Sequence, residues 1–467
     1  MPAPPVRLPW RDGVAEVDAR GRITLAVPRL PPVGIAVVGA DGPGLDDARL
    51  VLVEDDLAEH SGRAGEVGVE QRVGVGEHCQ LRWVVDVPVG AEPAALELAV
   101  DLGGAVGWLW PAGADGWLAV MPARGNSPTL LLRARQAELR RSEADGEGLR
   151  LVVTPRGLGP GRQVVVMQAQ LVEPPSSVGT VLPAWYEPLV LDAGEHWTGA
   201  IADFGLDHDD AVTVSTGEVD SLVRLSAPPG RHRFAVHGAR GVSDLVLEVA
   251  PRPSEVLAQV AAGLEVAALD AAGAFVLHRA LAAGVLERTP EREDALDRFD
   301  WTRRPGLLAI ALGAERALAE GEREMAVEAV RRLAAEPAVP GHARVATLVG
   351  LAAGALGVAE VPPLPPLGKG EAGLELALVL DAVSPAIEAE VDGVINRLGA
   401  TLPGEPVDLD RRQQPMLAGL LDLVPEYWGV AWEAGATAQV TRRRILAAYA
   451  AGEVVDPEPL AWLLVTG

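Results

Sequence analysis

The segment SDLVLEVAPRPSEVLAQVAAGLEV, Ser243–Val266, decides the fold. Its first residues alternate apolar and polar, which is the period of an extended strand with one buried face. The alternation stops at Ala250-Pro251-Arg252-Pro253-Ser254, and Ser254 and Glu255 read as a helix start behind a proline break. Everything before this point carries strand periodicity, and everything after it carries helical periodicity.

Upstream, the run LRWVVDVPV sets Leu81, Trp83, Val85 and Val87 on one face of a strand. Val17-Asp18-Ala19-Arg20-Gly21-Arg22-Ile23 reads as strand, turn and strand. The run LRLVVTPRGLGPGRQVVVMQAQL reads as a long hairpin with its loop at Pro155 to Gly161. Pro228-Pro229-Gly230 separates two further strands. Many short strands with Gly/Pro turns and no intervening helix predict antiparallel β-sandwiches, two of them, with a boundary in Glu173–Trp185.

Downstream, Ala326, Val330 and Leu333 form one apolar stripe, and Glu328 and Arg332 stand at i, i+4 on the wet side. Further helices are expected near His342–Leu356, Leu374–Leu398, Arg411–Leu423 and Val440–Ala451. The fold class is therefore multidomain, β then α, ending in an all-α helical-hairpin bundle or short solenoid. The expected division is a β-sandwich-rich domain over 1–172, a smaller Ig-like β domain over 173–250, helices over 251–360, a proline-rich connector over 361–370 and helices over 371–467.

Composition narrows the function. The net charge is −25, which repels phosphate backbones and anionic lipid, so neither nucleic acid nor a membrane is an expected partner. One cysteine, Cys79, excludes an intrachain disulfide and a cysteine-rich metal site. No signal peptide or membrane-spanning run is legible, so the expected location is the cytoplasm. One lysine against 39 arginines, and 11 tryptophans against 4 phenylalanines, follow GC-rich codon usage and point to a bacterial source.

Several motifs fail on context. Gly157-Leu158-Gly159-Pro160-Gly161 precedes a strand, whereas a dinucleotide loop must open a helix. Asp203-Phe204-Gly205 matches the kinase metal-binding triplet, but the upstream lysine that a kinase needs is missing. No cofactor is expected. His78-Cys79 are neighbours on a strand and point to opposite faces, so Cys79 reads as a packing residue.

Four groups of residues remain as candidates. Asp207, Asp209 and Asp210 surround His208 and offer hard oxygen ligands to a metal, against the reading of a solvated loop tip. Trp108, Trp110 and Trp117 flank one turn and would stack on sugar if exposed, or fill a core if buried. Asp300, Trp301, Arg303 and Arg304 in FDWTRRP offer a carboxylate or phosphate clamp, against the reading of a helix cap with a packed Trp301. Trp428 and Trp432 are expected on one helical face in the core.

Two functions follow. The first is a non-catalytic protein–protein interaction or assembly protein of the bacterial cytoplasm, with another protein as partner and an apolar patch on the helical half. The alternative is a carbohydrate-active enzyme or carbohydrate-binding protein, whose order of modules resembles that of the glucoamylase-type glycosidases in architecture. That resemblance implies two carboxylates flanking a cleft, drawn from residues such as Asp300, Glu315, Glu426 and Glu433.

Overall fold

A computed structural model describes residues 4–87, 95–114, 116–126, 128–142, 148–155, 161–173, 175–181, 183, 186, 189–201, 205–216, 222–238, 241–359, 370–382, 384–410 and 412–465. The connector at 361–370 (save Gly370), the loop at 156–160 and Asp203-Phe204 lie outside these residues.

Two large sheets form the first layer pair. An eight-stranded sheet runs in the order Val6–Trp10, Gly13–Val17, Ile23–Ala26, Val33–Gly39, Leu96–Asp101, Leu149–Thr154 and Glu138–Arg141, with Gly42–Pro43 paired on Val33–Gly39. A nine-stranded sheet runs Glu405–Pro406, Val106–Trp110, Trp117–Met121, Thr129–Ala134, Gly161–Val172, Cys79–Val87, Val67–Val75, Leu57–Ala64 and Asp46–Glu54. Their facing sides share one core, in which Leu81, Trp83 and Val85 are fully buried, as the alternation predicts. Trp83 donates its indole N–H to Gln71 Oε1 at 2.9 Å, so this buried polar group is satisfied. The predicted hairpin at 17–23 pairs Val17 with Ile23, and Asp18 Oδ1 accepts the backbone N–H groups of Arg20 and Arg22.

A smaller sandwich follows. Its four-stranded sheet orders Val190–Asp192, Gly241–Ala250, Gly230–Gly238 and Gly205–His208, and its three-stranded sheet orders Trp197–Gly199, Val223–Ser226 and Thr213–Thr216. Val190–Asp192 pairs parallel to Gly241–Ala250, an exception to the antiparallel expectation. The core of this unit includes Trp197 against Phe234 at 5.2 Å, and it continues into Trp108, Trp110 and Trp117 on the outer side of the nine-stranded sheet.

The helices are α1 (Pro253–Ala262), α2 (Ala271–Ala282), α3 (Pro290–Arg298), α4 (Leu307–Glu320), α5 (Arg323–Leu333), α6 (His342–Ala355), α7 (Glu371–Val379), α8 (Pro385–Arg397), α9 (Gln413–Leu421), α10 (Ala431–Ala450) and α11 (Glu458–Val465). The first begins one residue before the expected Ser254, because Pro253 supplies a helical φ at the position where its missing N–H costs nothing. The single helix expected over 374–398 is two. Ser384 caps α8 by accepting the N–H of Ile387, Pro385 follows it, and Asp381 takes a φ of 52° between the two helices. Glu328 pairs with Arg331 at 2.7 Å and not with Arg332, whose guanidinium donates to the carbonyls of Trp301 and Arg304. Trp428 is buried, but Trp432 is 81% exposed: α10 starts only at Ala431, so the two never share a helical face.

The two halves are locked together. Asn396 on α8 donates to the carbonyls of Pro122 and Gly125 at 2.9 Å. Gly393 meets the same turn so closely that a Cβ would lie 2.1 Å from the Ala123 carbonyl oxygen. Glu405–Pro406, from the helical half, pairs with Trp108 and Leu109 and closes one edge of the nine-stranded sheet.

Candidate functional site

A cavity of about 1180 Å³ lies where the small sandwich, the nine-stranded sheet and α10 meet. Its first wall is the outer face of the four-stranded sheet. Along Gly230–Gly238 the residues His232, Phe234 and Val236 are buried inward, which turns Arg231, Arg233, Ala235 and His237 outward. Cross-strand pairing sets Arg231 opposite Glu248 and Ala235 opposite both Asp244 and Asp207. The second wall is a stripe of α10, with Ala436, Gln439, Val440, Arg443 and Arg444 at helical spacing. Trp110, Tyr186, Arg140, Arg141 and the turn at Thr401–Glu405 complete it.

Six arginines therefore line this one cavity, against five carboxylates, in a chain whose net charge is −25. Most of those carboxylates are already engaged. Glu248 binds Arg231 at 3.1 Å and Arg444 at 3.2 Å. Arg231 also binds Glu453 at 2.6 Å. Burial opposes the Arg231 charge, but Glu248 and Glu453 outweigh it and hold the guanidinium above its usual range. Arg443 makes a two-toothed pair with Asp192, a residue outside the cavity lining. Arg141 donates to the Val407 carbonyl at 3.0 Å, and Arg140 pairs with Glu138 at 3.3 Å. Arg233 is exposed and has no carboxylate partner among the described residues.

A recess of about 290 Å³ adjoins the cavity and shares Arg141, Arg231, Glu248, Gly404, Glu405 and Arg444 with it. Trp108 forms part of its wall. The Arg444 guanidinium lies 5.3 Å from the Trp108 ring, and the indole N–H donates to the Pro403 carbonyl at 2.8 Å. Gly399, with φ of 73°, packs directly on that ring.

The candidates read from the sequence divide between two places. Trp108, Trp110 and Trp117 are 3%, 4% and 1% exposed, so they pack as core, although edges of Trp108 and Trp110 reach the two cavities. Trp110 does stand opposite Trp117, 5.8 Å away, and Tyr186 lies edge-on to Trp110 at 5.7 Å. Asp207 and Asp209 line the large cavity, with His208 between them. Asp207 accepts from His237 Nε2 at 2.7 Å, while Asp209 accepts the backbone N–H of Arg233. Among the described residues no three His, Cys, Asp or Glu side chains are grouped to hold a metal ion, Asp210 included. His208 Nδ1 donates to the Asp209 carbonyl at 2.9 Å, which leaves Nε2 as the ring's acceptor.

Asp300, Trp301, Arg303 and Arg304 line neither cavity. Asp300 caps the short turn Trp301–Arg303 by accepting the N–H and hydroxyl of Thr302, and it pairs with Arg303 at 2.9 Å. Trp301 is buried against Gly313 of α4, and Arg304 stacks on Phe299. Glu315 is bound to Arg279 at 2.5 Å, and burial raises its pKa against that arginine. Glu433 is likewise raised by burial, and neither it, Glu315 nor Glu426 lines a cavity of this site. Cys79 is buried, which pushes its thiol up to about 12 and leaves it inert. No described helix is long and apolar enough to cross a membrane.

The site residues that the sequence did not disclose are the arginines. They come from three segments far apart in sequence, Arg140–Arg141, Arg231 with Arg233 on one strand, and Arg443–Arg444 on α10, and no spacing links one segment to another. The one available signal is that 39 of 40 basic residues are arginine, which codon usage explains equally well.

No family model matches the sequence, and neither does any curated protein. Among solved structures, the chain is similar to a polysaccharide lyase, with a TM-score of 0.53 and 9% identity over 96% of this chain and 82% of that one. A glycoside hydrolase family 81 enzyme from Clostridium thermocellum aligns over 94% of this chain and 84% of its own, at 10% identity, but with a TM-score of 0.26 that is too loose to bear on the fold. The first likeness corrects the expectation of a non-catalytic protein–protein interaction or assembly protein, because the fold of an enzyme spans nearly the whole chain. Another protein as partner has no support either. The exposed apolar side chains of the helical half include Leu351 on α6, Leu380 just after α7, Trp432 on α10 and Val455 between α10 and α11.

Proposed function

We propose that the protein is a carbohydrate-active enzyme that cleaves an acidic polysaccharide by β-elimination in the cavity beside α10. The observation that carries this reading is the gathering of six arginines on one cavity of an acidic chain. Planar guanidinium groups bind carboxylates in two-toothed pairs, so the cavity suits a chain of uronate sugars. Tyr186, half-buried at the cavity wall, adds aromatic surface for a sugar ring.

Elimination starts with removal of the proton on the carbon next to the uronate carboxylate. The freed electron pair forms a C=C bond, and the glycosidic oxygen leaves and takes up a proton. An arginine that neutralises the carboxylate stabilises the charge developing on that carbon. Arg233, which has no carboxylate of its own, is assigned that role. His208 is assigned as the base, since its Nε2 is the ring's acceptor and it lines the same cavity as Arg233. The fold shared with a polysaccharide lyase makes this chemistry the one to test first. Hydrolysis by a carboxylate pair is less well served. Glu248 is occupied by Arg231 and Arg444, and Glu315 and Glu433, which burial biases towards the acid form, lie off the cavity.

The test is incubation with uronate-containing and neutral polysaccharides, followed by ultraviolet absorbance and mass spectrometry of the ends formed. The reading predicts unsaturated ends from acidic chains only. Saturated ends carrying an added water, or cleavage of neutral chains alone, would overturn it.

A further inference from the structure

The strand Asp46–Glu54 ends the nine-stranded sheet and is paired on one side only. Its register to Leu57–Ala64 runs Glu54 to Leu57, Val53 to Ala58 and Leu52 to Glu59, then Leu50 to His60 and Arg49 to Ser61. Val51 is thus an inserted bulge residue. Residues opposite each other in an antiparallel pair share a face, and successive residues alternate. Arg49, Leu52 and Glu54 therefore stand on one face, and Leu50 and Val53 on the other. All are exposed, and the four apolar residues Leu50, Val51, Leu52 and Val53 are 51%, 57%, 39% and 48% exposed. The strand contains neither lysine nor proline, the residues that usually blunt a free edge.

We propose that this edge pairs antiparallel with the same edge of a second copy of the chain, about a two-fold axis at Leu52. A two-fold axis normal to an antiparallel sheet sets one residue opposite its own copy. With Val51 bulged in both strands and Leu52 on the axis, Leu50 meets Val53 of the second copy, and Arg49 meets Glu54 of the second copy. The symmetry doubles each pair, giving two apolar contacts and two opposite-charge contacts around the central leucines. Neither Arg49 nor Glu54 has an ion pair within its own chain among the described residues, so both are free for this one. Any other register breaks the charge match or sets side chains on wrong faces. The association joins the chain to itself, recruits no other protein, and stands apart from the reading of the cavity.

The test is sedimentation velocity over a concentration series, with circular dichroism to confirm that each variant folds. The wild type is expected to reach twice the 48.7 kDa chain mass. Leu52→Lys sets two like charges on the axis and should leave monomers. Arg49→Glu should do the same, and the double variant Arg49→Glu/Glu54→Arg should restore the dimer. A wild type that stays monomeric at its highest soluble concentration would overturn the proposal. So would a dimer that persists in Leu52→Lys, or a double variant that fails to recover.

Discussion

The turn at 300–304 and the cavity beside α10 use the same chemical parts and arrive at opposite results. Each combines arginines, carboxylates and a tryptophan. In the turn these parts are neighbours in sequence, and they satisfy one another: Asp300 takes Thr302 and Arg303, Arg304 takes Phe299, and the turn's carbonyls take Arg332. In the cavity the parts come from strands and a helix as far apart in sequence as Trp110 and Arg444, and the Arg233 guanidinium is left without an ion pair among the described residues. Side chains close in sequence tend to close on each other, because short loops bring their polar groups within bonding distance. Open binding capacity needs a scaffold.

The largest expected effect lies in the turn and concerns stability. Trp301→Ala empties a buried site against α4 and should cost about 3–5 kcal/mol in denaturant unfolding. The comparison predicts that the folded fraction of this variant retains full activity on an acidic polysaccharide; loss of activity without loss of stability would place the turn in the site. His208→Ala should do the reverse, lowering kcat/KM by roughly 10²–10⁴-fold while the melting temperature stays at the wild-type value. Arg233→Ala removes one charge-assisted contact that strengthens as charge develops beside it, and should lower kcat/KM for acidic chains by about 10–100-fold, with the defect shrinking as salt screens the wild type.

Only part of this was legible in the sequence. The alternation in LRWVVDVPV and the proline break at 251–253 settled sheets before helices, because side-chain period is a local property. The hairpin at 17–23 was legible for the same reason, since Asp18 and Gly21 carry its turn. The break between α7 and α8 is carried by Ser384-Pro385, but the apolar pattern runs on across it and reads as one helix. The run Asp207–Asp210 did mark a cavity wall, though its carboxylates point to separate partners. The arginine set was not legible at all: cross-strand register and the packing of α10 bring it together, and both are tertiary facts.

A smaller effect separates carboxylates shifted by burial from those engaged at the cavity. Asp392 on α8 is raised to about 6, first by burial and then by Glu433 and Glu388. A carboxyl raised in the folded state binds its proton more tightly there than in the unfolded chain. Its contribution is therefore present at low pH and is lost as pH rises from about 4 to about 6. Asp392→Asn should recover about 1 kcal/mol at neutral pH, after allowance for solvent screening of a half-buried group, and should leave activity unchanged. A flat difference between the two unfolding curves from pH 4 to 7 would remove this account of Asp392.

The central claim is that the arginines of the cavity read carboxylates on a sugar chain. The most direct measurement is calorimetric titration of His208→Ala, which should bind without cleaving, with one uronate oligosaccharide and with the same oligosaccharide after its carboxyls are reduced to alcohols. The account predicts binding of the acidic form, loss of most of that affinity in Arg233→Ala/His208→Ala, and at least a tenfold weaker Kd for the reduced form. Equal affinity for the two forms, or equal binding with and without Arg233, would contradict it.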